Sequence, residues 1–307
     1  MRVGYALPQV GAAAGPEAVS AIASEAEAMG FDDLWVLDRL LVPTAPEVPY
    51  PVGDGTIPPQ YHTALDPMAT LNFVAGQTSR IRLGTSIINV PWYNPTLLTR
   101  QFTSLDVLSG GRAIVGLGIG WSTEEYRAAG VPWDERGKRA DESLEAMTAI
   151  WTSDPVEYTG TSFQIAKSTI GPKPVQKPHP PIYMAAYVPP ALRRIAKYAD
   201  GWFPVGIPIG YLPEMFGGLK DMTKAEGRDP DKLDLVVRAN VEVSETPISG
   251  ERQEFTGTLE QIAEDIAATK QIDADAFVVD MQFSPDVTTT ADYIRRMKDF
   301  WDLTQDA

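Results

Sequence analysis

RIRLGTSIINVPWYNPTLLTRQFTSLDVLSGGRAIVGLGIGW, residues 80–121, is the stretch of sequence that decides the fold. Two β-rich runs, Arg80–Asn89 and Ala113–Gly120, enclose a segment, Thr96–Leu108, whose apolar residues recur every three or four positions as in a helix. The second run is almost continuously apolar, which is typical of a strand buried on both faces of a parallel sheet. We therefore predict a parallel strand–helix–strand unit with alternating glycines at the carboxyl end of its second strand, where α/β proteins bind ligands.

The same alternation of strand and helix continues along the chain. The predicted strands are Arg2–Leu7, Asp33–Asp38, Ile81–Asn89, Ala113–Gly120, Pro181–Tyr187, Gly201–Val205, Leu233–Val243 and Ala276–Gln282. The predicted helices are Pro16–Met29, Asp66–Thr78, Thr96–Leu108, Lys138–Trp151, Pro190–Ala199, Tyr211–Glu226, Thr258–Lys270 and Thr288–Trp301. Eight such units in 307 residues predict an α/β fold, a (βα)8 TIM barrel, which commonly needs roughly 250 residues. A doubly wound sheet is the alternative, but the early GxGxxG turn common in that fold is absent.

Two long segments interrupt this alternation. Residues 40–63, after the second strand, and residues 153–180, before the fifth, are rich in proline and glycine. Long segments without secondary structure in a compact domain are usually functional loops or lids. We predict one domain over residues 1–307, with these two segments as long loops.

Composition excludes several classes of function. The chain has 26 basic and 41 acidic residues, a formal charge of −15, which argues against nucleic acid or an anionic membrane as partner. It has no cysteine, and its two histidines, His62 and His179, are far apart, so no metal site is predicted. No run of about 18 apolar residues suggests a membrane span, and the N-terminus does not resemble a signal peptide. We expect a cytoplasmic protein.

Six segments, taken in order, resemble one known family. They are GFDDLWVLDR (30–39), SRIRLGTSI (79–87), LDVLSGGRAIVGLGIGW (105–121), ERGKRADESL (135–144), KPVQKPHPPIY (173–183) and ALRRIAKYADGW (191–202). They resemble the bacterial luciferase-like superfamily, and more closely its actinobacterial branch of coenzyme F420-dependent oxidoreductases. The resemblance spans essentially the whole chain. It implies a (βα)8 barrel with an insertion region that binds FMN or the deazaflavin F420 at the carboxyl face.

The third strand carries the first candidate site residues. The resemblance implies that the cofactor ring rests against a bulge held by a non-prolyl cis peptide, which corresponds here to the bond between Ser86 and Ile87. Thr85, Ser86 and Ile87 are therefore predicted to bind the cofactor. The residues by themselves are equally consistent with an ordinary barrel strand.

The glycine-rich end of the fourth strand carries the next candidate site residues. Gly118, Ile119 and Gly120 are predicted to bind the cofactor, since glycines allow close backbone approach, and Trp121 is a catalytic candidate at the mouth, with Glu125 and Tyr126 beyond it. In flavin-using luciferases of this family an arginine near this strand end contacts the phosphate. Ile119 occupies the corresponding position and disfavours FMN. Tight barrel packing explains the glycines and Trp121 equally well.

The helix after the fifth strand receives the cofactor phosphate at its N-terminus in this family, usually after two glycines and a serine or threonine. Here residues 185–188 read Ala-Ala-Tyr-Val, so the hydroxyl is missing. Residues 189 and 190 are prolines without N–H groups, which shifts the first predicted free donor to residue 191. Arg193 or Arg194 could compensate, although both are expected to be solvated. The predicted cofactor-binding residues of this region are Ala185, Ala186, Tyr187 and Ala191.

Asp38 and Arg39, at the end of the second strand, are the remaining catalytic candidates. Several deazaflavin enzymes of the superfamily have a histidine here that acts near the reactive ring carbon, whereas this chain has Arg39. Arginine cannot shuttle a proton at neutral pH, but it can fix an anionic ring or a substrate oxygen. A salt bridge of Arg39 with Asp38 or with a glutamate is the structural alternative.

The resemblance thus implies an F420-dependent oxidoreductase that transfers hydride to or from a small organic substrate. The frequent aromatic residues near strand ends favour an apolar or aromatic substrate. Two alternatives stay open at this point: a reduced-FMN monooxygenase that uses dioxygen, and a non-catalytic barrel that has lost its cofactor. Relatives often pair through the helices after strands two and three, so a homodimer is expected.

Overall fold

The computed structural model describes residues 1–306, which fold as alternating strands and helices. The strands are β1 (Arg2–Ala6), β2 (Asp33–Val36), β3 (Arg82–Thr85), β4 (Ile88–Asn89), β5 (Ala113–Gly118), β6 (Val156–Thr159), β7 (Gln164–Ser168), β8 (Ile182–Met184), β9 (Gly201–Trp202), β10 (Asp234–Asn240), β11 (Glu242–Val243), β12 (Thr256–Gly257) and β13 (Ala276–Asp280). The helices are α1 (Pro16–Met29), α2 (Pro67–Ala75), α3 (Pro95–Ser109), α4 (Thr123–Ala128), α5 (Arg136–Thr152), α6 (Pro189–Tyr198), α7 (Leu212–Ala225), α8 (Leu259–Gln271) and α9 (Thr290–Asp306).

The main sheet closes into a parallel barrel, as predicted. Its order is β3-β2-β1-β13-β10-β9-β8-β5-β4, and a further pairing of β3 with β5 completes the ring. All of these pairings are parallel. β3 and β4 are two parts of one predicted strand, which is interrupted at Ser86 and Ile87. Counted as one, they give the barrel the eight strands of a (βα)8 fold.

Packed side chains fill one layer of the barrel interior. Trp35 is fully buried and stacks on Tyr183 and against the edge of Phe203, with ring centroids 6.3 and 4.9 Å away. The indole fits because two neighbouring strands carry glycine: a Cβ on Gly4 or on Gly84 would lie 2.5 Å from a Trp35 ring atom. Trp35 is therefore a packing residue of the barrel interior, and this layer separates the carboxyl ends of the strands from the opposite end of the barrel.

The structure corrects several predicted boundaries. The predicted loop 153–180 contains an antiparallel hairpin of β6 and β7, and the short helix α4 was not predicted. The hairpin was missed because most of its residues are exposed or only half-buried, so the sequence shows no apolar face. Segment 40–63 contains a single 3-10 turn, Pro59–His62, and otherwise matches the predicted loop.

Predicted helix ends agree with the structure where the capping chemistry is explicit. Gly30 ends α1 with a left-handed backbone at φ 107°, and its N–H donates to the carbonyl of Ala26. Thr258 and Gln261 form a reciprocal capping box at the start of α8. Within residues 1–306 we find no helix with both the length and the apolar character needed to cross a bilayer.

Candidate functional site

A cavity of about 930 Å³ opens at the carboxyl ends of the barrel strands. Its lining includes every predicted site residue except Thr85: Asp38, Arg39, Ser86, Ile87, Gly118, Ile119, Gly120, Trp121, Ala185, Ala186, Tyr187 and Ala191. The hydroxyl of Thr85 instead donates to the carbonyl of Gly116 at 2.7 Å and accepts from its N–H at 3.0 Å, so Thr85 ties β3 to β5. Residues scattered over some 150 positions of sequence thus meet because the barrel brings its strand ends together.

Ser86 and Ile87 form part of the cavity wall between β3 and β4. The peptide bond that joins them is cis, as the resemblance implied. The Ile87 side chain lies directly on the backbone of Gly118, where a Cβ would come within 2.5 Å of Ile87 Cδ1. The glycine at 118 therefore allows Ile87 to lie flat along the wall, and the two residues present an apolar surface to the cavity.

Arg238, on β10, braces this wall from the opposite side of the barrel. Its Nη1 donates to the Ser86 carbonyl at 2.5 Å and to the Ser86 hydroxyl at 2.9 Å. Its Nη2 forms an ion pair with Asp280, which is fully buried. The Nε atom of Arg238 is buried and has no hydrogen-bond partner among the described residues. The arginine therefore holds the Ser86 backbone and keeps one N–H unused.

Arg39 is held rigidly at another edge of the cavity. Its side chain is 6% exposed, and its Nη2 donates to Oε2 of the fully buried Glu125 at 2.9 Å. The guanidinium lies 4.8 Å from the ring centre of Tyr61 and 5.2 Å from that of Trp121, which are cation–π distances. Its Nη1 is buried without a partner among the described residues. The salt bridge considered for Arg39 exists, with Glu125 rather than Asp38.

Asp38 is a buried carboxyl on the same cavity wall. It accepts hydrogen bonds from the N–H of Asn89 and from the hydroxyl of Tyr93, each at 3.2 Å. Burial raises the pKa of Asp38 to about 7, although those two hydrogen bonds act to lower it. A carboxyl with such a pKa exchanges its proton near neutral pH, which is the property of a general acid or base.

Aromatic residues of segment 40–63 lie over the cavity. Tyr50 packs edge-on against Tyr61 and Trp121, with centroids 5.9 and 5.4 Å away, and the two tyrosine hydroxyls are 3.1 Å apart. The segment is anchored at its start by Glu125, whose Oε1 accepts from the backbone N–H of Leu40 at 2.8 Å. Glu125 is buried beneath the segment and Tyr126 is buried as well, so neither lines the mouth, contrary to expectation.

The start of α6 differs from the prediction. The N–H of Ala191, expected to be free, donates to the carbonyl of Val188 at 2.9 Å, and the N–H of Leu192 donates to the same carbonyl at 3.0 Å. Arg194 was expected to be solvated. It is buried instead, and its Nε donates to Asp141 at 2.6 Å. Val188 is the N-cap residue of α6, so the bond from Leu192 is the ordinary first i→i−4 bond of the helix, and the bond from Ala191 is an additional i→i−3 bond in the same turn.

Several cavity residues were not predicted. They are Tyr50, Tyr61, Asn89, Arg238 and Asn240, and the side-chain oxygens of both asparagines are buried without a partner among the described residues. One signal was present in the sequence: Arg238 is a charged residue inside the otherwise apolar run 235–239, and a buried charge needs a specific partner. Residues 1–306 contain no group of three or more His, Cys, Asp or Glu that could hold a metal ion.

Comparison with curated proteins finds relatives that use two different cofactors. An uncharacterized protein of Mycobacterium tuberculosis is 36% identical over 213 residues, 68% of this chain and 75% of that protein. An F420-dependent glucose-6-phosphate dehydrogenase of Amycolatopsis mediterranei is 30% identical over 230 residues, 73% of this chain and 64% of that protein. An FMNH2-dependent dimethylsulfone monooxygenase of Pseudomonas putida is 30% identical over 153 residues, 49% of this chain and 42% of that protein.

A solved structure and a family model agree with the architecture. The monooxygenase RslO1 from Streptomyces bottropensis superposes with a TM-score of 0.80 over 100% of this chain and 99% of its own, at 22% identity. At that identity the likeness concerns the fold. The family model described as luciferase-like monooxygenase matches residues 1–253. The chain therefore belongs to the luciferase-like monooxygenase family, whose members among its relatives use F420 or FMN.

Proposed function

We propose that this protein is an oxidoreductase that uses coenzyme F420 to transfer hydride to or from a small organic molecule. The observation that carries the proposal is the pair at the end of β2. Asp38 is a buried carboxyl with a pKa near 7, and Arg39 is a fixed guanidinium with an unpartnered N–H, and both line the cavity. Hydride transfer to or from a carbon that bears oxygen needs a partner for a proton and a donor to the oxygen.

The ring end of a flavin or deazaflavin fits the cavity. Such a ring is planar, with an apolar face and a rim of carbonyl and N–H groups. Ile87 and Gly118 offer an apolar wall. Four cavity residues have buried polar atoms without a partner among the described residues, namely Arg39 Nη1, Asn89 Oδ1, Arg238 Nε and Asn240 Oδ1. Buried polar atoms normally have partners, so these are the groups that a polar ring edge and a substrate would satisfy.

The bound cofactor would supply the hydride chemistry, while the chain's own residues bind, orient and exchange a proton. Arg238 and Ser86 hold the wall on which the ring lies. Asp38 holds or releases a proton near neutral pH. The unpartnered N–H of Arg39 has a fixed orientation because Glu125, Tyr61 and Trp121 hold the guanidinium in place. A donor fixed before the reaction costs no reorganisation when charge develops on the substrate oxygen.

Two observations favour F420 over FMN. Ile119 stands where flavin-using luciferases carry a phosphate-binding arginine, so that contact is missing. The F420-dependent relative matches 73% of this chain, against 49% for the FMNH2-dependent one. The aromatic cover of Tyr50, Tyr61 and Trp121 favours an apolar or aromatic substrate. The reduced-FMN monooxygenase remains the second candidate, supported by the relative from Pseudomonas putida.

The proposal is tested by titrating the protein with F420 and, separately, with FMN, followed by calorimetry and by quenching of ligand fluorescence. We expect F420 to bind at least tenfold more tightly than FMN, a difference in binding free energy of about 1.4 kcal/mol. A preference of that size for FMN would move the protein to the dioxygen-using monooxygenases. Binding of neither ligand would contradict both candidates and favour a barrel without a cofactor.

A further inference from the structure

The start of α6 offers few donors to a phosphate group. Pro189 and Pro190 have no N–H, and the N–H groups of Ala191 and Leu192 both donate to the carbonyl of Val188. The first four residues of α6 therefore have no N–H available to a ligand. An anion at a helix N-terminus is normally bound by the N–H groups of the first turn, so α6 offers an anion fewer donors than a helix start usually does.

Side chains near this helix replace few of the missing donors. Residues 185–188 include no serine or threonine, and Tyr187, whose hydroxyl accepts from the N–H of Val205 at 3.2 Å, is the one residue among them with a side-chain O–H. Arg194, on α6, is bound to Asp141 and to the carbonyl of Gly137 at 2.9 Å. It is 5% exposed at its side chain and does not line the cavity.

The arginines that line the cavity are also neutralised. Arg39 is paired with Glu125, Arg238 with Asp280, and Arg252 with Asp265 at 2.6 Å. Two further acidic residues, Asp38 and Glu254, belong to the lining itself. Each guanidinium thus has its own carboxylate, and the cavity has no surplus of positive charge for a phosphate that carries one to two negative charges at neutral pH.

We propose that the cavity recognises the ring of its cofactor with little contribution from the phosphate. It would then take the phosphate-free riboside form of a flavin or deazaflavin about as tightly as the phosphorylated form. This inference rests on the proposed function, because it assumes that a ring of this kind is the ligand. The groups proposed to contact the ring, at Ile87, Gly118, Arg39 and Arg238, are all present in the cavity wall, so we expect the affinity to come mainly from them.

The test compares matched ligand pairs by calorimetry on the full-length protein. The pairs are riboflavin with FMN, and the phosphate-free riboside of F420 with the 5′-phosphate of that riboside. We expect the two dissociation constants within a pair to differ by less than about tenfold, the worth of one charge-assisted hydrogen bond. A larger preference for the phosphorylated member would overturn the inference and leave the proposed function intact. Failure of all four ligands to bind would overturn both.

Two variants test whether the helix start is the cause. Val188→Ser with Pro190→Ala supplies a hydroxyl ahead of α6 and a free N–H in its first turn. We expect it to bind FMN at least about tenfold more tightly than the unaltered chain does, with riboflavin unchanged. No gain for FMN would overturn the role given to the helix start. Arg193→Ala, at an exposed position of the same helix, is the control, and selective loss of FMN affinity there would overturn the inference by revealing a phosphate contact.

Discussion

Arg238 donates a hydrogen bond of 2.5 Å to the carbonyl of Ser86, although the two residues are 152 positions apart and stand on opposite strands of the barrel. Four strand-to-strand steps separate β10 from β3 in either direction around the ring. The guanidinium therefore reaches across the mouth of the barrel and fixes the wall against which we propose the cofactor ring lies. Asp280 lies on β13, the strand next to β10, where it is in register with Asn240. Its carboxylate forms an ion pair with Arg238 that fixes the guanidinium in place.

Arg238→Met should destabilise the protein by about 3–5 kcal/mol, because it leaves the fully buried Asp280 charged and without a cation. Denaturation in urea measures this loss. The double variant Arg238→Met/Asp280→Asn removes the buried charge as well, so most of the stability should return. The affinity for the flavin or deazaflavin ring should be lower in both variants than in the unaltered protein, since neither variant has an arginine that donates to Ser86. A double variant that binds the ring as tightly as the unaltered protein would show that Arg238 has only a structural role.

Gly118→Ala should weaken ring binding while the protein still folds. The new Cβ would lie 2.5 Å from Ile87 Cδ1, so the isoleucine must leave its place on the wall, at a cost of about 1–3 kcal/mol for overpacking. Gly116→Ala should be more disruptive than Gly118→Ala, because the new Cβ would lie 1.5 Å from the backbone oxygen of Thr85. We expect that this variant does not fold.

Gly217→Ala is the matched control for these glycine variants. Gly217 lies within α7, is exposed, and has no atom within 4 Å of the position a Cβ would take. Alanine should stabilise the helix by about 0.5–1 kcal/mol and leave ring affinity unchanged. Equal affinities for Gly118→Ala and Gly217→Ala in a titration with F420 or FMN would contradict the role of the Ile87–Gly118 wall.

Asp38→Asn should change how stability depends on pH. Because the folded pKa of about 7 lies above the value of about 3.9 in an unfolded chain, the folded state binds the proton more tightly. The stability from this proton is fully present below pH 4 and is lost as the pH rises through 7. Relative to the asparagine variant, the unaltered protein should therefore lose roughly 2–4 kcal/mol between pH 4 and pH 8.

Urea denaturation of both proteins at several pH values gives this difference directly, since other titrating groups cancel between them. A constant difference across the range would show that Asp38 does not titrate near neutrality. Turnover, once a substrate is known, should be lost in Asp38→Asn, while ring affinity changes little.

Arg39→Met should lower stability by about 3 kcal/mol, because Glu125 is then left buried without its counter-charge, and should also weaken turnover. The double variant Arg39→Met/Glu125→Gln should regain stability but not turnover. Arg127→Ala is the exposed control: its ion pair with Glu47 is 68% and 50% exposed, so solvent screens it and the change should leave stability essentially unaltered. Full turnover in the double variant would remove Arg39 from the proposed mechanism.

The barrel was predictable because burial leaves a signal in each segment by itself: a continuous apolar run in a strand buried on both faces, and a three-to-four-residue repeat in a helix buried on one face. Apolar strands such as Ala113–Gly118 and three-to-four-residue repeats in helices such as Pro95–Ser109 report their surroundings without knowledge of the partner. The exposed hairpin of β6 and β7 buries little and left no such signal. Explicit capping chemistry, as at Thr258, was equally local and equally predictable.

The sequence by itself determined the barrel and the edge of it at which Asp38, Arg39 and Ile87 would meet. Only the tertiary structure decided which side chains pair there: Arg39 with Glu125, Arg238 with Ser86 and Asp280, and the amide of Ala191 with the carbonyl of Val188. The physical reason is that periodicity records how deeply a residue is buried. The identity of its partner depends on strand register and barrel closure, which join residues far apart in the chain.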